Sequence, residues 1–556
     1  MQDHATNPLF TEGFILPNAG LRAYFDRVEK GSNQVIRTSF YDGVALPELV
    51  GKWLNQLESL KHDWPTLFEY EYDQSHKVGP MSVMKPLKQR MADIDSYYAD
   101  VSLSAEPIQG AAIKRTLDEF VPVAGLRVRN IPNTIQNMRL STNSGAPFFT
   151  RKRRVLEHYS YVGMESANKR GSSDELVELW YSYYRNNDAP NNSTSSITKF
   201  LNLAILGWRG QEGGPKPSDV KQRVVWMFPM SLNVEELRVY QPLIEAVQNS
   251  ARTKTVVPAW VSMELVDEYI TKLIDTKAPQ DLILCTDFSR FDQHFNSVMA
   301  STAYDVLSDL LTPTRDAQTW LSDIYWQKYN IPLAYDWDKV RTGYHGMASG
   351  SGGTNADETL AHRCLQHEVA LLSGQKLNPY SQCLGDDGIL SYPGITVDKV
   401  VKAYSSHGQE CNPDKQYASR EDCIYLRRWH HRLYRENGIC VGVYPTIRAL
   451  GRLCMQERYY DPRVWGPKMV ALRQLSILEN VKHHPLKEQF VEFCMKGDKY
   501  RLGMDIPGFL DNIGSIAAEA TANMPDFLSY SNTLGEADPV KGIADWWVVK
   551  YLKSKA

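Results

Sequence analysis

Two short stretches most constrain what this chain can fold into, because each runs an apolar strand directly into carboxylates. In the first, Asp281-Leu-Ile-Leu-Cys-Thr-Asp287-Phe-Ser-Arg-Phe-Asp292, an apolar run ends at Asp287 and a second aspartate follows five positions on. The pattern predicts a buried strand over Leu282 to Thr286, since short apolar runs bounded by polar residues have that length. In the second, Cys383-Leu-Gly385-Asp386-Asp387-Gly388-Ile-Leu390, two adjacent aspartates lie on a glycine-flanked turn between apolar residues. Asp-Gly alone is an ordinary hairpin turn signal. Charged aspartates held against an apolar hairpin are costly unless something neutralises them, and a divalent cation does so. Paired with a strand ending at Asp287, the turn reads as half of a metal site. Magnesium takes oxygen ligands, usually one or two carboxylates completed by phosphates and water. Two such ions clamp the attacking and leaving oxygens of a phosphoryl transfer.

Between these stretches lies Gly346-Met-Ala-Ser349-Gly350-Ser351-Gly352-Gly353-Thr354-Asn355-Ala-Asp357-Glu358, with four glycines and two serines. Its backbone can approach a nucleotide or a template closely. Thr354-x-x-Asp357 predicts a capped helix start, and Gly374 a stop after an apolar face of Ala361, Cys364, Leu365, Val369 and Leu372. No Gly-Lys-Ser/Thr follows the glycines, so a Walker-type phosphate loop is excluded.

In order, Asp287-x4-Asp292, Ser349-Gly350-x3-Thr354 and Gly385-Asp386-Asp387 resemble motifs A, B and C of viral RNA-dependent RNA polymerases. Asn412-Pro413-Asp414-Lys415, after an amphipathic helix carrying Val397, Val400, Val401 and Tyr404, resembles motif D. Tyr425-Leu426-Arg427-Arg428-Trp429 is similar to the motif E primer grip, and Lys221-Gln222-Arg223 to the basic motif F. Thr142-Asn143-Ser144-Gly145-Ala146-Pro147-Phe148 looks like motif G at a template entrance. These motifs span residues 142–429, about half of the chain. The forms DFSRFDQ and SGSGGTN look most like picobirnavirus polymerases, with partitivirus enzymes next.

The resemblance implies an α+β fold: a closed right-hand polymerase with fingers, a palm built on an antiparallel sheet and a helical thumb, the fingertips bridging to the thumb. It divides the chain into an N-terminal extension joining fingers and thumb (1–110), fingers (111–280) and a first palm segment with motif A (281–312). A fingers insertion (313–345), a second palm segment with motifs B to E (346–430), and a thumb with C-terminal tail (431–556) follow. The tail holds a loop from Asn523 to Asp538 and then Trp546-Trp547-Val-Val, expected to dock on the body.

By the same resemblance Asp287, Asp386 and Asp387 hold two magnesium ions, with manganese an acceptable substitute, and Asp387 assists or lies one layer out. Lys415 is the candidate general acid for the pyrophosphate leaving group. Lys221 and Arg223 meet the triphosphate. Asp292, Ser349, Gly350, Thr354 and Asn355 form the nucleotide site, and all but Gly350 are candidates for reading the 2′-hydroxyl that separates RNA from DNA. Glu358 stands four residues beyond Thr354, where the picornavirus pattern carries its sugar-sensing asparagine. Ser144, Gly145, Arg151, Arg153, Arg427 and Arg428 are the candidate RNA contacts, although Arg151-Lys-Arg-Arg154 reads equally well as a solvated charged face. The histidine pairs at 430–431 and 483–484 lack metal-ligand spacing and are expected at the surface or on RNA.

Composition sets bounds on this reading. The 62 basic and 65 acidic residues give a net charge of −3, so any RNA channel must come from local arrangement. All eight cysteines lie at or after Cys285 without a C-x-x-C pair, which predicts reduced core residues rather than a zinc knuckle or disulfide framework. No apolar run is long enough to span a membrane, and no secretory leader is expected at Met1. The partners implied are template and nascent RNA, nucleoside triphosphates and a viral capsid protein, for a monomer working inside the virion and the host cytoplasm on a double-stranded RNA genome. Three rivals share part of this pattern. A reverse transcriptase normally shows an aromatic residue before x-Asp-Asp, a packaging protein need not keep every acidic ligand, and a metal-dependent nuclease needs no motif B, D or E.

Overall fold

The computed structural model describes residues 19–146, 148–156, 202–337, 339–460, 465–523 and 542–556. Its described strands in chain order are β1 (Ala204–Gln211), β2 (Lys221–Met227), β3 (Ile283–Thr286), β4 (Leu333–Asp336), β5 (Lys339–Arg341), β6 (Gln382–Leu384), β7 (Asp387–Leu390), β8 (Tyr417–Ser419), β9 (Asp422–Tyr425) and β10 (Arg428–His431). The apolar run before Asp287 becomes β3, buried at all four positions, while Leu282 precedes the strand and is half-buried. β3 is the third strand of an antiparallel sheet ordered β6-β7-β3-β8. The helix Thr354–Leu372 lies against β6 and also packs on the helices Gly110–Phe120 and Ser297–Leu310. The hairpin β9–β10 reaches this sheet through contacts of β9 with β3 and β7.

The helix start departs from the sequence expectation. Gly353, not Thr354, is the N-cap. The Thr354 hydroxyl instead donates backwards to the carbonyls of Ala348 and Ser351, each at 3.3 Å, and ties the glycine-rich loop together. Asp357, expected to complete a capping box, is wholly buried and accepts from Tyr240 and Tyr329, both at 2.7 Å. The C-terminal stop is as expected: Gly374 takes φ +66°, the left-handed conformation that glycine adopts without strain.

A second sheet, ordered β2-β1-β4-β5, is mixed: β1 runs antiparallel to β2 and parallel to β4. Leu21 and Phe25 of the N-terminal segment pack on it beside Ile205 and Ala334. Further along, the helices Leu46–Leu57 and Pro65–Ser75 share a core with the C-terminal helices Thr446–Cys454, Pro467–Glu479 and Lys487–Gly497. Trp53 packs on Phe490 and Phe493 and donates its indole N–H to Thr446 Oγ1 at 2.8 Å. Glu71, fully buried, accepts the N–H groups of Thr446 and Ile447 at 2.6 and 2.9 Å, two donors that a helix N-terminus otherwise leaves orphaned. The C-terminal helices also reach the strand region after β1, where Arg448 and Arg452 both pair with Glu212. Helices from residues 46–75 and 446–497 thus share one core.

Two expectations about histidines are overturned. His430 is fully buried with Nδ1 on the Cys440 carbonyl at 2.9 Å, and His484 is buried against Glu71 at 3.1 Å. Both face inward because strand pairing and the Glu71 cap orient them, so neither can meet RNA; His431 stacks on Trp429, and His483 pairs with Glu436 at 2.9 Å. All eight cysteines are free, and seven are buried. Val548, Val549 and Leu552 after the tryptophan pair are buried in the shared core, and Glu479 accepts the N–H of Trp547 and Val548. The loop expected up to Asp538 lies outside the described residues beyond 523.

If the N-terminal helices are an integral part of the C-terminal core, Trp53→Ala should destabilise the chain by about 3–5 kcal/mol, the usual cost of truncating a buried aromatic. Chemical denaturation against the parent measures this, and a loss below about 1 kcal/mol would show that the segment is merely laid on the surface.

Candidate active site

β6 and β7 pair through Leu384 and Asp387, so the connection is a two-residue turn of Gly385 and Asp386. Gly385 takes φ +59°, which a tight hairpin needs at its first central position and only glycine reaches at no cost. Its N–H donates to Thr359 Oγ1 at 2.9 Å, and its carbonyl accepts from His362 Nδ1 at 2.8 Å. Burial pushes the His362 pKa down to about 4, so the ring is neutral near pH 7 and its Nδ1 carries the proton for this bond. The buried helix Thr354–Leu372 therefore fixes the turn from beneath.

Antiparallel pairing of β3 with β7 ends at Thr286 and Gly388. One step further, the two chains present Asp287 and Asp387 side by side, with Asp386 at the turn. Asp386 is solvent-accessible at the turn tip yet surrounded by protein mass, and burial followed by the charge of Asp292 raises its pKa, against Arg223. Asp387 is pushed up to about 7 by burial and then by Asp386, against a hydrogen bond from Leu426 N–H to its Oδ2 at 2.9 Å. Burial likewise raises Asp287, opposed by Lys415, Lys77 and Lys221. Glu358, buried below the turn, is raised well above the carboxylate range by burial, by the charge of Asp292 and by a side-chain hydrogen bond with Asp292.

These carboxyls form a hard-oxygen site short of positive charge, which suits magnesium or manganese. Among the described residues no three metal-binding side chains form a ready-made cage.

The remaining predicted residues divide. Lys221 and Arg223 lie exposed on β2, and Arg223 Nη2 stands 3.9 Å from Asp292 Oδ2. Ser349 donates to the Val224 carbonyl at 3.4 Å, and Gly350 is pressed so closely on β2 that a Cβ there would lie 1.5 Å from the Trp226 carbonyl oxygen. Asn355 is exposed near the turn and accepts from Trp260 Nε1 at 2.8 Å. Lys415 ends a short turn of helix and is exposed, and Arg427 is exposed beside Asp387. Arg151 and Arg153 are exposed.

Three of the candidate RNA contacts are buried, against the expectation of an exposed surface. Arg428 is buried, paired with Asp267 at 2.7 Å, in a strand whose first three residues are all buried. Ser144 is fully buried with its hydroxyl on the Thr150 N–H, and Gly145 is buried against the Phe228 backbone. Both shape the segment from inside. Two further residues join the site without any sequence signal of their own. Lys77 arrives from the N-terminal segment, and Gln416 both accepts the Asp287 N–H and donates to the Asp287 carbonyl, each at 2.8 Å.

Residues 110–437 match the family model described as viral RNA-dependent RNA polymerase. The chain is 53% identical to a potential RNA-dependent RNA polymerase of a human picobirnavirus (strain Human/Thailand/Hy005102), covering 98% of this chain and 99% of that protein. It is also similar to the crystal structure of a human picobirnavirus RNA-dependent RNA polymerase, with TM-score 0.85 and 50% identity over 99% of this chain and 98% of that one. An insertion-loop deletion mutant of a human picobirnavirus polymerase gives TM-score 0.84 and 51% identity, covering 97% of each chain.

The two adjacent arginines give a direct contrast. Arg428→Ala should destabilise the fold by about 3–5 kcal/mol, because it strands the buried Asp267 charge. Arg427→Ala should leave thermal unfolding unchanged and weaken binding of a primed RNA template. A reversal of the two phenotypes would reverse the assignment.

Proposed function

The chain belongs to the viral RNA-dependent RNA polymerases, and on that premise we propose that it replicates and transcribes a double-stranded viral RNA genome by nucleotidyl transfer on two divalent cations. As a member of that family it is an RNA-dependent RNA polymerase and binds RNA and nucleoside triphosphates. The observation that carries the mechanistic reading is the meeting of Asp287 and the Asp386-Asp387 turn at the adjoining ends of β3 and β7.

Asp287 and Asp386 would hold the cations, with Asp387 contributing while its Oδ2 keeps the Leu426 amide. Bound there, magnesium supplies a lowered pKa for the attacking 3′-hydroxyl and charge neutralisation at the transferred phosphate. The rest is positioning by the chain and one proton transfer. Lys221, Arg223 and Lys77 would meet the triphosphate, Arg427 the nascent strand, and exposed Arg151 and Arg153 the incoming template. Lys415 would hand a proton to the pyrophosphate oxygen as the bond to the α-phosphate breaks. Asp292, Ser349, Thr354 and Asn355, with Glu358 beneath them, would discriminate the ribose.

The segments named for extension, fingers, palm and thumb fit the two sheets and the shared terminal core. We propose that the enzyme acts as a monomer, since the helices of residues 46–75 find their core partners within the same chain, and that it works inside the particle against capsid protein and in the host cytoplasm. No described helix is long and apolar enough to cross a membrane.

Purified chain should extend RNA on an RNA template with ribonucleotides and discriminate against deoxyribonucleotides. Asp386→Asn should reduce synthesis by about three orders of magnitude or more, the scale of losing several kcal/mol of transition-state charge stabilisation. Synthesis by that variant at the parent rate would sink the two-metal reading. Lys415→Met should lower kcat by about a hundredfold with KM little changed, as for a lost general acid. An unaltered kcat would make Lys415 a surface residue.

A further inference from the structure

The glycine-rich loop between Ala348 and Thr354 should be mobile on composition, yet it is held by a buried polar chain that the catalytic reading leaves unused. Its anchor is Glu236, fully buried on the helix Met230–Asn249. The Glu236 carboxylate accepts the Ser351 hydroxyl and the Gly352 N–H, the latter at 3.2 Å. One turn earlier on the same helix, buried Asn233 donates from Nδ2 to the Gly350 carbonyl at 3.2 Å and to Glu236 Oε1 at 3.3 Å. Three consecutive loop residues are thus fixed by two side chains of one helix.

The chain continues away from the site. Asn233 Oδ1 accepts from Lys152 Nζ at 3.2 Å, and Lys152 is the one buried member of the basic run 151–154. Its backbone N–H bonds Thr142, and the Met230 N–H at the start of the same helix bonds the Ser144 carbonyl at 2.9 Å. The entry segment around 142–152 and the glycine-rich loop therefore rest on one helix and share one asparagine. Burying an ammonium, an amide and a carboxylate together is unfavourable unless every group is satisfied. Such a cluster makes one arrangement of the loop far better than its neighbours.

We infer that Glu236 is a positioning residue that fixes the glycine-rich loop in its substrate-receiving form, and that Asn233 with Lys152 makes this form depend on the seating of the template-entry segment. The inference rests on the reading that this loop meets template and nucleotide. Neither Glu236 nor Asn233 touches substrate. Their effect should appear in substrate affinities before it appears in the chemical step.

The test uses full-length protein in a template-directed synthesis assay, with template affinity measured separately by fluorescence anisotropy of labelled RNA. Glu236→Ala should raise the nucleotide KM and the template Kd by about tenfold, the size of losing one or two hydrogen bonds, with kcat changed less than about threefold. Glu236→Gln, which can still accept the Gly352 N–H and pair with Ser351, should recover both constants to within about threefold. Lys152→Met should raise the template Kd, and adding it to Glu236→Ala should raise it no further, as for residues in one network. Should Glu236→Ala fold poorly, Ser351→Ala removes the hydroxyl that donates to Glu236 and accepts the Gly353 N–H, and must show the same split. Unchanged affinities in a folded Glu236 or Ser351 variant, a loss confined to kcat, a Gln variant as impaired as Ala, or additive effects with Lys152 would each overturn the inference. If the parent itself bound RNA but synthesised nothing, the polymerase reading would fail instead.

Discussion

Repulsion among carboxyl groups is the constraint on which the rest of this structure depends. Asp287, Asp292, Glu358, Asp386 and Asp387 come from three separate stretches and meet at the end of one hairpin, where burial raises the pKa of most of them. Two like charges about 4 Å apart near a protein surface repel by about 4 kcal/mol, so such a cluster persists only if the surroundings oppose it. The opposition is local and comes from many directions: Lys415, Lys221 and Lys77 act on Asp287, Arg223 on Asp386, and Arg427 with the Leu426 amide on Asp387. A chain with net charge −3 can therefore hold anionic substrates, because its cations are placed where its own anions crowd.

Placing those cations explains the closed arrangement. Lys77 follows directly on the helix Pro65–Ser75, which is itself buried against the C-terminal helices through Leu67 and Glu71. The same helix sends Tyr70 to the Arg427 carbonyl at 3.0 Å. A segment near the start of the sequence thus caps a C-terminal helix, braces the turn next to Asp387 and holds Lys77, paired with Asp73, where its charge favours ionised Asp287. Removing it would cost core and site together.

How legible this was in the sequence varied with the kind of information needed. Strand ends carrying aspartates announce themselves, because burial and charge conflict within a few residues; β3 and the Gly385-Asp386 turn follow from that conflict. The helix from Thr354 and its stop at Gly374 follow from apolar spacing, although the cap shifted to Gly353 once the Thr354 hydroxyl found closer carbonyls in the loop. What stayed hidden was the direction of side chains in basic runs. Lys152 points inward between exposed Arg151 and Arg153 because its partner Asn233 lies 81 residues on, and Ser144 turns its hydroxyl to the Thr150 amide, a contact no periodic pattern announces. Lys77 has no local pattern at all, since its relevance is created by the packing of the helix before it.

The pair Arg427 and Arg428 shows how such directions are set. Leu426 and Arg427 both adopt positive φ, at 50° and 64°, which costs non-glycine residues roughly 1–2 kcal/mol each. Two hydrogen bonds hold this strained turn: the Leu426 N–H on Asp387 Oδ2 and the Tyr70 hydroxyl on the Arg427 carbonyl. The turn sends Arg427 outward beside Asp387 and lets β10 begin with Arg428 facing Asp267. Asp387 therefore does something that Asp386 does not. Asp386 is free at the turn tip, whereas Asp387 spends one oxygen keeping the neighbouring turn in the shape that exposes Arg427. The two adjacent aspartates differ because only one of them is also a backbone partner of the next hairpin.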